Sequence, residues 1–175
     1  MNLIGLDLSL TSTGFSLNGR TGVYKPKSKG PERLLEVSSF ILTQCLTDEV
    51  SCVIIEGYSF ASRNSQAHSI GEMGGCVRMR LWENGIPYIE VPPTSRAKFA
   101  TGKGNAGKTE VISAISSKTG KIFSGSGADD ECDAWVLEQM GLQKLGLSNY
   151  SWTKEQLSSL DKIDWSPLDK LLGEK

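Results

Sequence analysis

The stretch MNLIGLDLSLTSTGFSL, residues 1–17, decides the fold. Its two short apolar runs, Leu3–Leu8 and Gly14–Leu17, lie on either side of a polar segment with the composition of a tight turn. Runs of this length and content predict a strand, a turn and a second strand. Asp7 lies inside the first strand, where a carboxylate is costly unless a cation or a basic side chain binds it. The question for the rest of the sequence is therefore which residues could meet Asp7.

The length and composition predict one globular domain that does not span a membrane. The chain has 175 residues, of which 38% are hydrophobic and 22% charged. It has no run of about 18 apolar residues and no N-terminal signal-peptide pattern, so we expect a cytoplasmic protein with no membrane partner. The spacing of the four cysteines and the single histidine do not suit a zinc site.

Charge is distributed unevenly along a chain whose net charge is only −1. Between Thr94 and Lys121 there are six basic residues and one acidic residue, whereas ten acidic residues and five lysines follow from Ile122 to the end. Such a distribution favours a protein that binds a polyanion and holds cations at its centre.

The apolar pattern predicts a mixed five-stranded sheet flanked by helices. Cys52–Gly57 is a continuous apolar run that ends in Glu56, as expected of a buried parallel strand, and Ile86–Val91 is another strand. We expect the main domain over residues 1–147. A tail over residues 148–175 would contain a short helix opened by a capping box of Thr153 and Gln156.

Four carboxylates could form one site. Glu56 ends a core strand, and Asp130 and Asp133 are three residues apart on a helix predicted over Ala128–Leu142, so that they share one face. We expect Asp129 to be the N-cap of this helix, and a pairing of Asp129 with Asp133 stays open. With Asp7, these are hard oxygen ligands that suit Mg²⁺ or Mn²⁺. Two such ions about 4 Å apart can promote phosphodiester hydrolysis.

Four parts of the chain together resemble the RuvC family of Holliday-junction resolvases, within the ribonuclease H-like superfamily. They are Ile4–Asp7, Val53–Glu56, the Asp130-x-x-Asp133-Ala134 helix and the basic segment 96–111. The resemblance covers Leu3 to Gly141 in matching order, and the short, divergent form favours a bacteriophage-type member.

The resemblance implies a Mg²⁺-dependent DNA endonuclease that resolves four-way junctions by paired symmetrical nicks. The products would carry 5′-phosphate and 3′-hydroxyl ends. Residues 1–147 would be the nuclease domain, acting as a homodimer on branched DNA in a bacterial or phage-infected bacterial cell. Asp7 would bridge two Mg²⁺ ions, and Glu56, Asp130 and Asp133 would complete their ligands; Mn²⁺ could substitute.

The resemblance also implies DNA contacts. Lys98 and Lys108 would bind backbone phosphates, and either Tyr58 or Phe60 would stack at the opened junction. The full set of DNA-binding candidates is Tyr58, Phe60, Arg63, Arg96, Lys98, Lys103 and Lys108. The predicted helix Ser65–Asn84 contains Gly71, Gly74 and Gly75, which would form the dimer surface or, alternatively, pack against the protein's own sheet.

Other functions stay open on the sequence. A broader nuclease of this fold could cut flaps, branched DNA or RNA–DNA hybrids, and a non-catalytic DNA- or nucleotide-binding module is a further alternative. Gly102–Thr109 matches the phosphate-binding P-loop pattern, but no buried strand precedes it directly, so we do not expect ATP binding. Asp7, Thr11 and Gly14 also resemble the first phosphate loop of actin-like and sugar-kinase ATPases, which need two such domains.

Overall fold

A computed structural model describes residues 1–58 and 66–173. Its strands are β1 (Asn2–Asp7), β2 (Thr13–Leu17), β3 (Arg20–Tyr24), β4 (Val50–Glu56) and β5 (Tyr88–Val91). Its main helices are α1 (Gly30–Thr47), α2 (Gln66–Glu83), α3 (Pro93–Thr101), α4 (Lys108–Thr119) and α5 (Ala128–Lys144). The tail adds α6 (Lys154–Leu157), a 3₁₀ turn (Leu160–Lys162) and α7 (Ser166–Gly173). None of these helices combines the length and apolar character needed to cross a bilayer.

The strands form one mixed sheet in the order β3-β2-β1-β4-β5. β1 pairs antiparallel with β2 and parallel with β4, which in turn pairs parallel with β5. The predicted mixed five-stranded sheet is confirmed. Because β1 and β4 are adjacent and parallel, Asp7 and Glu56, at their carboxyl ends, lie at the same edge of the sheet.

Alternating residues of the central strands build a separate core on each face of the sheet. Ile4 and Ile55 pack with α1 and α2, whereas Leu3 and Ile54 pack with α3, α4 and α5. All four side chains are at most 1% exposed. This two-sided burial explains why β1 and β4 appear in the sequence as almost continuous apolar runs.

Two glycines bring α5 against the backbone of the sheet. A Cβ atom on Gly5 would lie 2.0 Å from the carbonyl oxygen of Ala134, and one on Gly14 would lie 1.9 Å from that of Asp130. Any side chain at either position would therefore push α5 away. Since α5 carries two of the predicted site carboxylates, these glycines set the distance between α5 and the ends of the strands.

The start of α5 corrects one prediction. The N-cap is Gly127, in a left-handed conformation with φ of +95°, and not Asp129. The chain turns into the helix at this glycine, and the Asp129 carboxylate forms an ion pair with Lys108.

The tail packs against the α5 side of the sheet. The predicted capping box of Thr153 and Gln156 is confirmed at the start of α6. Farther along, Trp165 and Leu168 are 7% and 0% exposed within the same core as α5. Trp152 packs on Phe99 of α3, with ring centroids 4.1 Å apart. The tail therefore helps to hold α3 in position.

Candidate active site

Three carboxylates from three separate elements converge at one edge of the sheet. Asp7 comes from β1, Glu56 from β4 and Asp133 from the second turn of α5. One oxygen of each lies within 4.8 Å of the others, and the three line a cleft of about 660 Å³. Segments far apart in sequence thus form a compact set of acidic ligands.

The protonation of this cluster is strongly perturbed. Burial and then the charge of Glu56 raise the pKa of Asp7 well above its usual range. Burial raises the pKa of Asp133 to about 7, although the charge of Arg96 lowers it. Burial and the like charges nearby thus both disfavour the ionised form of Asp7 and of Asp133. A divalent cation would remove the strain of their mutual repulsion.

The fourth predicted ligand, Asp130, lies beside this group. It lines the same cleft, and burial raises its pKa. Among the described residues it is not a member of the close set formed by Asp7, Glu56 and Asp133. Asp129 pairs with Lys108. Of these two neighbouring residues, Asp130 is therefore the one that the structure places along the cleft.

Arg96 of α3 reaches into the carboxylate cluster. Its Nε lies 3.3 Å from Oε1 of Glu56, and its Nη1 donates a hydrogen bond to Oδ1 of Asp133. The Arg96 side chain is only 12% exposed. Its predicted role as a DNA contact stays a prediction, and the structure adds an unexpected role as the partner of two site carboxylates.

The predicted DNA-binding lysines lie on α3, on α4 and in the loop between them. Lys108 lines the cleft and its side chain is 70% exposed, while Lys103 is 71% exposed and lies 3.5 Å from Glu110. Lys98 is partly exposed on α3. The glycine-rich loop that contains Lys103 follows helix α3 rather than a buried strand, unlike the P-loop arrangement.

The opposite wall of the cleft is formed by Tyr58 and α2. The Tyr58 hydroxyl donates to the carbonyl of Gly71 and accepts a hydrogen bond of 2.9 Å from Arg78, whose guanidinium lies 4.5 Å from the ring centroid. Arg78 also pairs with Glu90 of β5. A Cβ atom on Gly74 would lie 2.4 Å from both Tyr58 and Arg78, so this glycine makes room for their contact.

The remaining candidates, Phe60 and Arg63, lie outside the described residues. Tyr58 is 40% exposed and held by Arg78 and Gly71, which makes it a fixed wall of the cleft.

Gly71 and Gly75 have nothing within 4 Å of an added Cβ atom, so neither packs against the protein's own sheet.

Sequence reasoning missed residues that shape the site without carrying its charge. Gly5 and Gly14 had a detectable signal, because glycine inside an apolar strand indicates a close backbone approach. Arg78 had none, since an arginine on a helix otherwise indicates a solvated surface. Its contact with Tyr58 depends on how α2 is rotated against the sheet.

The donor set fits a hard divalent cation. All three ligands of the close set are carboxylate oxygens, and two of them are only partly exposed while Asp133 is 4% exposed. Oxygen-only sites suit Mg²⁺, Mn²⁺ or Ca²⁺ and not Zn²⁺. The chemistry of these residues therefore agrees with the cation predicted from the sequence.

Curated proteins similar to this chain share one description. The crossover junction endodeoxyribonuclease RuvC of Carboxydothermus hydrogenoformans is 25% identical over 156 residues, which is 83% of this chain and 98% of that protein. RuvC of a Synechococcus species is 26% identical over 152 residues, covering 81% and 97%. This chain is therefore similar to RuvC over most of its length. No family model matches it.

Solved RuvC structures have the same fold. Thermus thermophilus RuvC superposes with a TM-score of 0.65 at 22% identity, covering 86% of this chain and 100% of that one. The same protein in complex with a Holliday junction substrate gives 0.66 at 21% identity, covering 86% and 99%. The yeast mitochondrial Holliday junction resolvase Ydc2 gives 0.52 at 9% identity, covering 78% and 75%. The ribonuclease H-like fold predicted from the sequence is thereby confirmed.

Proposed function

We infer that this protein is a crossover junction endodeoxyribonuclease that cuts Holliday junctions. One observation carries this conclusion: in a chain that aligns with RuvC over nearly the whole length of the relatives, three carboxylates converge within 4.8 Å in an open cleft. Paired symmetrical nicks would resolve the junction, and hydrolysis of each phosphodiester by water would leave a 5′-phosphate and a 3′-hydroxyl. The protein would act in the cytoplasm of a bacterial or phage-infected bacterial cell.

Asp7, Glu56 and Asp133 would hold magnesium, with Asp130 completing the set. When bound, two Mg²⁺ ions would supply a nucleophilic hydroxide at neutral pH and neutralise charge on the leaving oxygen. The protein's own part is to fix the carboxylates. Asp7 and Glu56 lie at the ends of paired strands, and α5 is kept at a short distance from β1 by Gly5, so the ligand set is rigid before DNA arrives.

Basic residues beside the cleft would bind the phosphodiester backbone. Lys108 lies on the cleft wall with most of its side chain exposed, and Lys98 and Lys103 extend the positive surface along the α3–α4 segment. Phosphate contacts of this kind position a nucleic acid without reading its sequence. On the opposite wall, Tyr58 offers a partly exposed aromatic ring on which an unpaired base could stack.

A homodimer would place two such sites on one junction. The outer side of α2 exposes large apolar side chains, with Met79 at 53% and Trp82 at 78%. Gly71 and Gly75 leave open space on the same helix, which would let a second helix approach closely. We assign the dimer interface to this surface of α2, since an exposed Trp and Met on one helix are typical of an interface.

A synthetic four-way junction incubated with the protein and Mg²⁺ tests the proposal. The expected result is a pair of symmetrical nicks whose ends religate directly, as 5′-phosphates and 3′-hydroxyls do. Equal or faster cleavage of flaps or RNA–DNA hybrids in competition would instead identify a broader nuclease of this fold. Binding to the junction without any Mg²⁺-dependent nicking would identify a non-catalytic module.

A further inference from the structure

Arg96 places a positive charge against the carboxylates of the proposed metal site. Its guanidinium contacts Glu56 and Asp133 together, and these are two of the three carboxylates that would hold the metal. The side chains of Arg96, Glu56 and Asp133 are 12%, 15% and 5% exposed, so water screens their interaction only weakly. Arg96 is thus a permanent positive charge built into the site.

The geometry explains how the site is stable without a metal. Three carboxylates whose oxygens approach within 4.8 Å repel one another, and a planar guanidinium can bind two of them at once through separate N–H groups. The neighbouring element supports this arrangement, because α3 is fixed by Phe99, which is 0% exposed and packs on Trp152. Arg96 therefore holds Glu56 and Asp133 near the positions in which they would receive a cation.

The same contacts oppose metal binding. The guanidinium and a metal ion draw on the oxygens of the same two carboxylates, and a buried cation beside a metal ion also costs electrostatic free energy. If Mg²⁺ binds only those molecules in which Arg96 has released the two carboxylates, its apparent Kd is the intrinsic Kd divided by the fraction of protein in that state.

We propose that Arg96 is a positioning residue that competes with Mg²⁺ for Glu56 and Asp133, so that it preforms the site and at the same time limits its affinity for metal. This inference rests on the proposed function, because it concerns the same metal site. It predicts that a neutral residue at position 96 destabilises the metal-free protein and tightens metal binding.

Lys108 provides a matched control. It lines the same cleft and carries the same charge, but its ion pair is with Asp129 and not with the close carboxylate set. A general electrostatic effect of removing one positive charge from the cleft would appear equally in Lys108→Met and Arg96→Met. Direct competition would appear in Arg96→Met alone.

Isothermal titration of the full-length, metal-free proteins with MgCl₂ and with MnCl₂ measures the effect. We expect the Kd of Arg96→Met to fall by about tenfold relative to wild type, as displacement of a competitor present in about 90% of molecules would give. Lys108→Met should change by about twofold or less. Arg96→Lys, which keeps the charge and loses the planar fork, should fall between wild type and Arg96→Met. Melting in EDTA should show a lower Tm for Arg96→Met than for wild type.

The outcomes separate the two proposals. Unchanged or weaker metal binding by Arg96→Met, or an equal gain in Lys108→Met, overturns the competition by Arg96 while leaving the metal site in place. A wild-type protein that binds neither Mg²⁺ nor Mn²⁺ overturns the proposed function itself. If Arg96→Met does not fold, the Kd of Arg96→Lys decides, and a value equal to that of wild type contradicts the proposal.

Discussion

Two buried carboxylates on α5, Asp133 and Glu138, lie five residues apart and have opposite surroundings. They are 4% and 2% exposed, and burial raises the pKa of both. The oxygens of Glu138 accept hydrogen bonds from the Ser16 hydroxyl and, at 2.8 Å, from the backbone N–H of Asn18. Glu138 thereby ties the β2–β3 hairpin to α5.

Asp133 instead faces other acids. Its neighbours are Asp7 and Glu56, with Arg96 as the one basic side chain paired to it in the described residues. Burial of an acid therefore does not by itself identify a metal site. A structural carboxylate is surrounded by hydrogen-bond donors, whereas a ligand is surrounded by further acceptors that only a cation can satisfy.

The largest expected difference between the two environments is in catalysis. Asp7→Asn removes a charge from the acceptor-rich cluster and should lower junction nicking by more than about a hundredfold, while junction binding persists. Glu138→Gln should keep nicking close to the wild-type rate, because the amide oxygen can still accept from the Asn18 N–H and the Ser16 hydroxyl can turn to accept from the amide NH₂. Nicking rates and gel-shift affinities of both variants check this. Full cleavage by Asp7→Asn would contradict the assignment of Asp7 to a metal site that Glu138 does not share.

The second difference is in stability. Glu138→Ala leaves the Ser16 hydroxyl and the Asn18 N–H without their partner and opens a cavity, so it should cost about 3 kcal/mol of unfolding free energy. Asp7→Asn should instead stabilise the metal-free protein by about 1 kcal/mol, since it relieves repulsion. Urea unfolding in EDTA measures both. Glu83→Ala, at an exposed position ending α2, is the neutral control.

The third difference is in the response to Mg²⁺ and pH. Saturating Mg²⁺ should stabilise wild type and Glu138→Gln by about 2.7 kcal/mol at a concentration of 100 Kd and leave Asp7→Asn unaffected. Asp133 has a folded pKa of about 7 against 3.8 for an ordinary aspartate. In the metal-free protein, protonation of Asp133 contributes to the free energy of unfolding, and this contribution is complete at pH values below the ordinary pKa. It is lost as the pH rises through the folded pKa.

Because Mg²⁺ binds the deprotonated carboxylate, its stabilising effect should grow over the same interval. Thermal melts with Mg²⁺ or EDTA at several pH values follow this, and Asp133→Asn should flatten the dependence. A Mg²⁺ effect that is constant with pH would separate Asp133 from the metal.

The smallest expected effect is at the rim of the cleft. Lys108→Ala or Lys98→Ala should weaken junction binding and reduce the slope of log affinity against log salt by about 1 each. Lys162→Ala, exposed in the tail, is the control that should leave the slope unchanged. An unaltered slope in the first two variants would remove these lysines from the DNA surface.

The sequence was sufficient for features that follow from strand order. Asp7 and Glu56 each end an apolar run, and parallel pairing of those runs brings both to one edge of the sheet. Asp133 could be placed near them because the apolar positions of α5 predict that this helix packs against the sheet. These inferences need only periodicity and the rule that carboxyl ends of parallel strands share an edge.

Other features depend on side-chain packing and could not be read in advance. The start of α5 at Ala128 was predicted, but the sequence could not show that its N-cap is Gly127, because this depends on a left-handed backbone conformation at that glycine. The orientation of Arg96 depends on the rotation of α3, and the packing of Trp165 depends on the path of the tail. The residue type alone does not show whether an arginine or a tryptophan lies on the surface or in the core.

The central claim is that Asp7, Glu56 and Asp133 form a cation site, and anomalous diffraction from a crystal soaked in Mn²⁺ tests it most directly. The account predicts an anomalous peak among the oxygens of these three residues, and no peak beside the equally buried Glu138. Separated carboxylates without an ion between them would contradict it.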